Sequence, residues 1–159
     1  MGVEIERKWL IDLDDVPFDL GSAQKQRIVQ TYLSFDPQVR LRNVNDGETY
    51  VMTVKLGRGE ASQLMRGEFE AEITAASYEK LARESIGKVI EKTRYTVPEP
   101  GNTGRFFEID VFEGEFAGLC VVEMEFASEE DAKVYGDPDW VLRDITYDAT
   151  YKNIVMAQS

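Results

Sequence analysis

This sequence contains no histidine and a single cysteine in 159 residues. Without an imidazole, Ser/His/Asp hydrolysis and histidine-ligated metal sites are excluded. One cysteine excludes a disulfide within the chain and points to a reducing, cytoplasmic setting. That residue, Cys120, lies in the apolar run GLCVVEMEF and reads as a small buried side chain, not a nucleophile. No run approaches the roughly 20 apolar residues of a membrane span, so no membrane is expected as a partner. The first residues turn acidic within four positions and show no apolar signal-peptide core. Positive charge is scarce as well: 18 Lys and Arg stand against 30 Asp and Glu, for a net charge of −12. Such a surface repels a polyanion, which argues against a nucleic-acid partner while leaving room for a local basic site.

What is present is enough for one folded domain over residues 1–159. Hydrophobic residues make up 43% of the chain, and a chain of this size buries roughly 70% of its unfolded surface. Strand-like alternation dominates. It runs through GVEIERKWLI, QRIVQTYLSF, VRLRNV, TYVMTVKL, LMRGEFEAEI, KVIEKTRYTV, RFFEIDVF and CVVEMEFA. Two turn signals join neighbours into hairpins: NDG at Asn45–Gly47 and PEPGNTG between the sixth and seventh segments. Helical spacing predicts a helix over Ala75–Gly87 with Gly87 as its stop. A short helix is expected after Ser128, which has Asp131 three residues on in the manner of a capping box. DPDWVL is expected to form a turn or short helix, and TYDATYKNIVMAQ a C-terminal helix. About eight evenly spaced strands with few helices predict a mainly β, α+β protein: an antiparallel barrel or sandwich.

The charges on these strands fall in rows. Successive strand side chains face opposite sides, so Glu4, Glu6 and Lys8 share one face of the first segment, against Val3, Ile5 and Trp9. The same pattern pairs Arg40 with Arg42, Lys92 with Arg94, Glu108 with Asp110, and Glu123 with Glu125. It gives Lys55 on the fourth segment and Arg66, Glu68, Glu70 and Glu72 on the fifth. An antiparallel sheet with one wet face also produces charged alternation. Here, however, each strand carries mostly one sign, which costs like-charge repulsion, and the rows behind are bulky and apolar. Helices packed outside would cover the apolar rows and turn the charged rows inward, across an eight-stranded closed barrel. Paired carboxylates form a hard-oxygen site for Mg²⁺, Mn²⁺ or Ca²⁺, and clustered Arg and Lys suit a polyphosphate. Metal beside a basic cluster is what phosphoryl transfer requires.

The ordered set Glu4-Ile5-Glu6-Arg7-Lys8, VRLR, MTVK, RGEFEAEI, EKTRY, FEIDVF and VEMEF, with TYDATYKN near the end, resembles the CYTH superfamily of triphosphate tunnel metalloenzymes, in particular its short bacterial members. The resemblance covers essentially the whole chain. It implies an eight-stranded antiparallel tunnel, metal-dependent hydrolysis of a triphosphate, and a cofactor requirement of Mg²⁺ or Mn²⁺, two ions, with no organic cofactor. It assigns Lys8, Arg40, Arg42, Lys55, Lys92 and Arg94, and more weakly Arg66, to triphosphate binding. Glu4, Glu6, Glu123 and Glu125 match the acids at the metal end, and Glu4, Glu6 and Lys8 the catalytic start. Glu68, Glu70, Glu108 and Asp110 match further tunnel acids, divided between metal ligation and holding the bases. The closing segment has Ala149 and Thr150 where related proteins often carry basic residues, which leaves Lys152 as the basic group there.

Inorganic tripolyphosphate is the expected substrate, since no base-recognition pocket is legible; nucleoside and thiamine triphosphates are the other candidates. A class IV-type adenylyl cyclase is the alternative on the same fold, although Trp9-Leu10-Ile11 follows the opening motif here. A non-catalytic polyphosphate- or nucleotide-binding module is the third reading. An outer surface that helices cover incompletely would suit a homodimer contact.

Overall fold

The computed structural model describes residues 5–55 and 68–159. Its strands are β1 (Glu6–Leu10), β2 (Gln24–Phe35), β3 (Gln38–Val44), β4 (Thr49–Lys55), β5 (Glu68–Glu72), β6 (Ile86–Pro98), β7 (Phe106–Glu113), β8 (Cys120–Glu125) and β9 (Arg143–Asp144). Three short helices accompany them: α1 (Ala75–Ala82), α2 (Glu129–Val134) and α3 (Asn153–Gln158). Among the described residues no helix is long and apolar enough to cross a membrane. The protein is thus mainly β and antiparallel, as its alternation predicts.

The contacts gather into two compact units. One comprises Arg27–Glu91 and Thr150–Ser159; the other holds Lys92–Ala149 with the described residues up to Gln26. In the first, hydrogen-bonded neighbours run β5-β4-β3-β2-β6; in the second they run β6-β7-β8-β1-β9. This corrects the expectation of a closed eight-stranded barrel. There are nine strands among the described residues, and their order has β5 and β9 as its two ends. β9 takes the remaining edge of β1, pairing Asp144 with Trp9 and Arg143 with Leu10. Covering that edge removes a row of unpaired backbone groups. A two-residue strand lies below any window in which period-2 alternation can be read.

The hairpin signals hold. Asn45 and Asp46 both take φ 52° and Gly47 takes φ 99°, the left-handed conformations that Asn, Asp and Gly tolerate best. At the longer turn Glu99 N–H bonds Arg105 C=O at 2.9 Å. α2 is capped as expected, with Ser128 Oγ accepting from Asp131 N–H at 3.1 Å.

Two helix expectations shorten. α1 ends at Ala82, and Gly87 lies inside β6 with φ 72°. There a Cβ would sit 2.4 Å from the Ala157 carbonyl oxygen of α3 and 2.7 Å from the Phe35 ring. The glycine therefore marks a close backbone approach, not a helix stop. The C-terminal helix starts only at Asn153, after a 3-10 turn over Ala149–Tyr151. Upstream, Thr146 Oγ1 is engaged by the Lys8 backbone N–H at 3.0 Å, which holds that segment along β1 instead of in a helix.

The core of the second unit is the apolar row behind the charges. Trp9, Ile109, Val122 and Met124 are fully buried, with Phe107, Cys120 and Phe126 around them. Phe18 and Trp140 close over Phe107 at ring-centroid distances of 5.5 and 5.4 Å. The Cys120 thiol is free and buried, and burial pushes its pKa up, with Asp12 adding to the effect. Both facts fit a packing role.

Candidate active site

Each unit presents one charged strand face. In the second unit the registers set Glu6 opposite Glu125 and Lys8 opposite Glu123 across β1 and β8, and Glu108 opposite Glu123 across β8 and β7. Directly opposed side chains on one face have Cβ atoms about 4.5–5.5 Å apart. Glu123 thus has Lys8 on one side and Glu108 on the other. Lys8 Nζ lies 3.6 Å from Glu123 Oε1.

The Arg94 guanidinium links two acids of β7. Its Nη1 meets Glu108 Oε2 at 2.8 Å, while Nε and Nη2 donate to the two oxygens of Asp110 at 2.7 and 2.9 Å. The same carboxylate takes the Lys92 ammonium at 2.9 Å. Lys92 and Asp110 are 0% and 1% exposed, and Lys92 also lies 5.6 Å from the centre of the Phe112 ring. Burial opposes ionisation of Asp110, but the two cations outweigh it and hold the carboxyl well below the usual range. Burial likewise opposes charge on Arg94, and its acidic partners, Asp110 first, more than restore it. Glu108 moves the other way. Burial raises its pKa, Arg94 pulls it down, and Glu123, Asp110 and Glu125 push it up again.

The first unit carries the other basic row. Tyr32, Arg40, Thr53 and Glu70 lie opposite one another in turn across β2, β3, β4 and β5; Gln30, Arg42 and Val51 form the adjacent row, and Lys55 faces Gln38 and Glu68. Gln30, Tyr32 and Thr53 are buried to within 1%. Arg42 Nε donates to Gln30 Oε1 at 2.6 Å, and Gln30 Nε2 donates to the Tyr32 hydroxyl at 2.6 Å. Thr53 Oγ1 donates to Glu70 Oε2 at 3.3 Å. Arg40 Nε is buried and has no hydrogen-bond partner among the described residues. A buried donor without a partner is costly unless a ligand supplies the acceptor. Glu68, Glu70 and Glu72 are exposed.

Sequence reasoning placed these charges on shared faces but passed over three uncharged groups between them. Gln30, Tyr32 and Thr53 had a signal of their own: they occupy the same alternate positions as the charges. Arg7 was also passed over. It lies on the opposite face from Glu6 and Lys8. Its Nη1 donates to the Ala132 and Tyr135 carbonyls at 2.7 and 2.8 Å, and its Nη2 meets Asp137 and Asp144 at 2.6 and 2.7 Å. A lone arginine in the row Ile5, Arg7, Trp9 was the clue. Glu4 and Arg66 lie outside the described residues. Lys152 stands at the N-cap of α3.

A divalent ion is the group that this acidic patch would hold. Glu6, Glu108, Glu123 and Glu125 come from three adjacent strands and offer the hard oxygen donors that Mg²⁺ and Mn²⁺ prefer. Burial is the first cause of the raised Glu108 pKa, and the neighbouring acids Glu123, Asp110 and Glu125 add to it. Among the described residues no group of three or more acids is placed to hold an ion by itself.

The CYTH domain model matches residues 2–146 of this chain. The chain belongs to the CYTH family. It is 36% identical to an inorganic triphosphatase of Nitrosomonas europaea, over 98% of this chain and 97% of that protein. It is 34% identical to an inorganic triphosphatase of Acetivibrio thermocellus, over 96% of this chain and 92% of that one. A crystal structure of an inorganic triphosphatase superposes with a TM-score of 0.73 at 35% identity, covering 100% of this chain and 97% of the other.

Proposed function

We propose that this CYTH protein is a divalent-metal-dependent triphosphatase that cleaves the phosphoanhydride bond of inorganic tripolyphosphate. The observation that carries the reading is the match to two inorganic triphosphatases over 98% and 96% of the chain.

In this reading Arg40, Arg42 and Lys55 bind the triphosphate through charge-assisted hydrogen bonds, the arginines with their forked donors. The buried Arg40 Nε, which has no hydrogen-bond partner among the described residues, supports that role. Lys8 and Arg94 are the triphosphate-binding bases that the same reading assigns within the second unit. Lys92 contacts Asp110 in this structure, so its part is to fix Asp110, which in turn orients Arg94. Glu6 and Glu125, with Glu108 and Glu123, hold Mg²⁺ or Mn²⁺, and Glu4 joins them by its place in the motif. Asp110 is already engaged by two cations and is left out of the ligand set; Glu68 and Glu70 support the basic row of the first unit. Two ions are the proposed complement. A bound ion supplies neutralising charge on phosphate oxygens and a water of lowered pKa for in-line attack. The chain's own bases hold the terminal phosphoryl group in place as its charge redistributes.

The test is phosphate release from tripolyphosphate, ATP and thiamine triphosphate, with and without Mg²⁺ or Mn²⁺, beside a Glu4→Gln/Glu6→Gln variant. Metal-dependent release from tripolyphosphate, lost in the variant, is the expected result. No release from any of the three by folded protein with metal present would overturn the reading.

A further inference from the structure

The string Arg42–Gln30–Tyr32, half-buried at Arg42 and buried at the other two residues, has a fixed direction. A guanidinium can only donate, so the Gln30 atom facing Arg42 Nε at 2.6 Å is the amide oxygen. The amide nitrogen must then face the Tyr32 oxygen, also at 2.6 Å. Tyr32 accepts that bond, and its own O–H is left to donate elsewhere. Gln30 is 0% exposed and Tyr32 1% exposed, so water cannot reverse the arrangement. Tyr32 stands opposite Arg40, and Gln30 opposite Arg42, across β2 and β3.

We propose that Gln30 is a positioning residue for the triphosphatase reaction: its amide fixes the angle of the Arg42 guanidinium and commits the Tyr32 hydroxyl to donating a proton away from β2. The inference rests on the proposed function for its kinetic consequence, but not for its structural one. The groups facing Tyr32 are Gln30, Arg40 and Arg42, with the Phe35 ring at 5.7 Å. Burial raises the phenol pKa, against the pull of Arg40, Gln30 and Arg42.

Two near-isosteric variants separate the two parts. Gln30→Met removes both bonds. Gln30→Glu keeps an acceptor for Arg42 but turns the second bond round, so that Tyr32 must donate to the carboxylate. With tripolyphosphate and Mg²⁺, Gln30→Met should raise KM by about tenfold or more, the usual effect of losing a hydrogen bond to a charged group. Gln30→Glu should hold KM within about threefold while kcat falls by about tenfold. Independently of turnover, tyrosinate absorbance, read against Tyr32→Phe as the blank, should show Tyr32 ionising at higher pH in Gln30→Glu than in the parent. Lowered thermal stability with unchanged kinetics and unchanged Tyr32 titration would make Gln30 a packing residue and overturn the proposal. If the parent proves inactive on tripolyphosphate, the proposed function fails, and the Tyr32 titration still decides on the string. If Gln30→Met does not fold, Gln30→Glu carries the test alone.

Discussion

Asp110 grips the Arg94 guanidinium with both carboxylate oxygens, at 2.7 and 2.9 Å, deep enough that the acid is 1% exposed. The same carboxylate is the partner of the fully buried Lys92. Removing it leaves a buried ammonium uncompensated, which costs about 3–5 kcal/mol. Asp110→Asn should therefore lower the unfolding free energy in urea by that amount. Adding Lys92→Met should recover a large part of the loss. A double mutant no more stable than Asp110→Asn would show that the pair is not coupled in this way.

Glu6 and Glu125 face each other across β1 and β8. In their proposed role as ion-holding acids they should matter to metal before they matter to folding. Glu6→Gln and Glu125→Gln should each cut the rate at limiting Mg²⁺ on the order of 10²-fold. Raising Mg²⁺ should restore part of it, and the melting temperature without metal should stay near that of the parent. A Mg²⁺ titration of phosphate release beside a thermal melt checks both statements.

Arg40 and Arg42 share one face of β3. Replacing either by lysine keeps the charge but loses the forked donors. Arg42→Lys is expected to lower kcat/KM for tripolyphosphate by about tenfold or more. Ordinary kinetics at saturating metal would show an unimportant fork as a value within about twofold of the parent.

Acid should weaken the fold. The Asp110 carboxyl is held below its ordinary value by Lys92 and Arg94 against burial, and the Asp144 carboxyl by Thr146 and Arg7 against burial. A carboxylate with a depressed folded-state pKa stabilises the protein above its unfolded value, near 3.9 for aspartate, and that stability drains away as pH falls through the folded value. Urea midpoints should be level from pH 7 to about 5 and drop below about 4. Glu108 works in the opposite sense, since its raised pKa favours the protonated form in the folded chain, so it softens the loss. Asp144→Asn should start from lower stability at pH 7 and lose less on going to pH 3.

Gly87 takes φ 72° with the Ala157 carbonyl 2.4 Å from where a Cβ would stand. Alanine there meets a left-handed backbone cost of about 1–2 kcal/mol and overpacking of about 1–3 kcal/mol. Gly87→Ala should lower stability by the sum, read from urea unfolding. A loss below about 0.5 kcal/mol would mean that α3 moves aside freely.

Much of this was legible because a strand writes its two faces into alternate residues. The sequence placed Glu6 beside Lys8, Arg40 beside Arg42 and Glu108 beside Asp110, and the registers keep each pair on one face. Turn chemistry was equally readable at Asn45–Gly47, where three successive positive φ angles select Asn, Asp and Gly. Gly87 misled because one residue type serves both helix stops and close backbone approaches, and only the neighbour, Ala157, distinguishes them. β9 was invisible for want of length, and the role of Arg7 for want of a local acceptor: the carbonyls and carboxylates it meets lie more than 120 residues away.

The sequence by itself determined the family, the strand-rich class and which charges share a face, since alternation, turn residues and motif order are local properties. Tertiary structure alone decided which charge meets which. Lys92 and Arg94 look equivalent in EKTRY, yet one is sealed against Asp110 and Phe112 while the other reaches from Asp110 to Glu108. Gln30, an unremarkable amide in sequence, joins Arg42 to Tyr32 because β2 and β3 pair in the register that sets it opposite that arginine. Register is settled by the packing of whole strand faces, and no single residue encodes it.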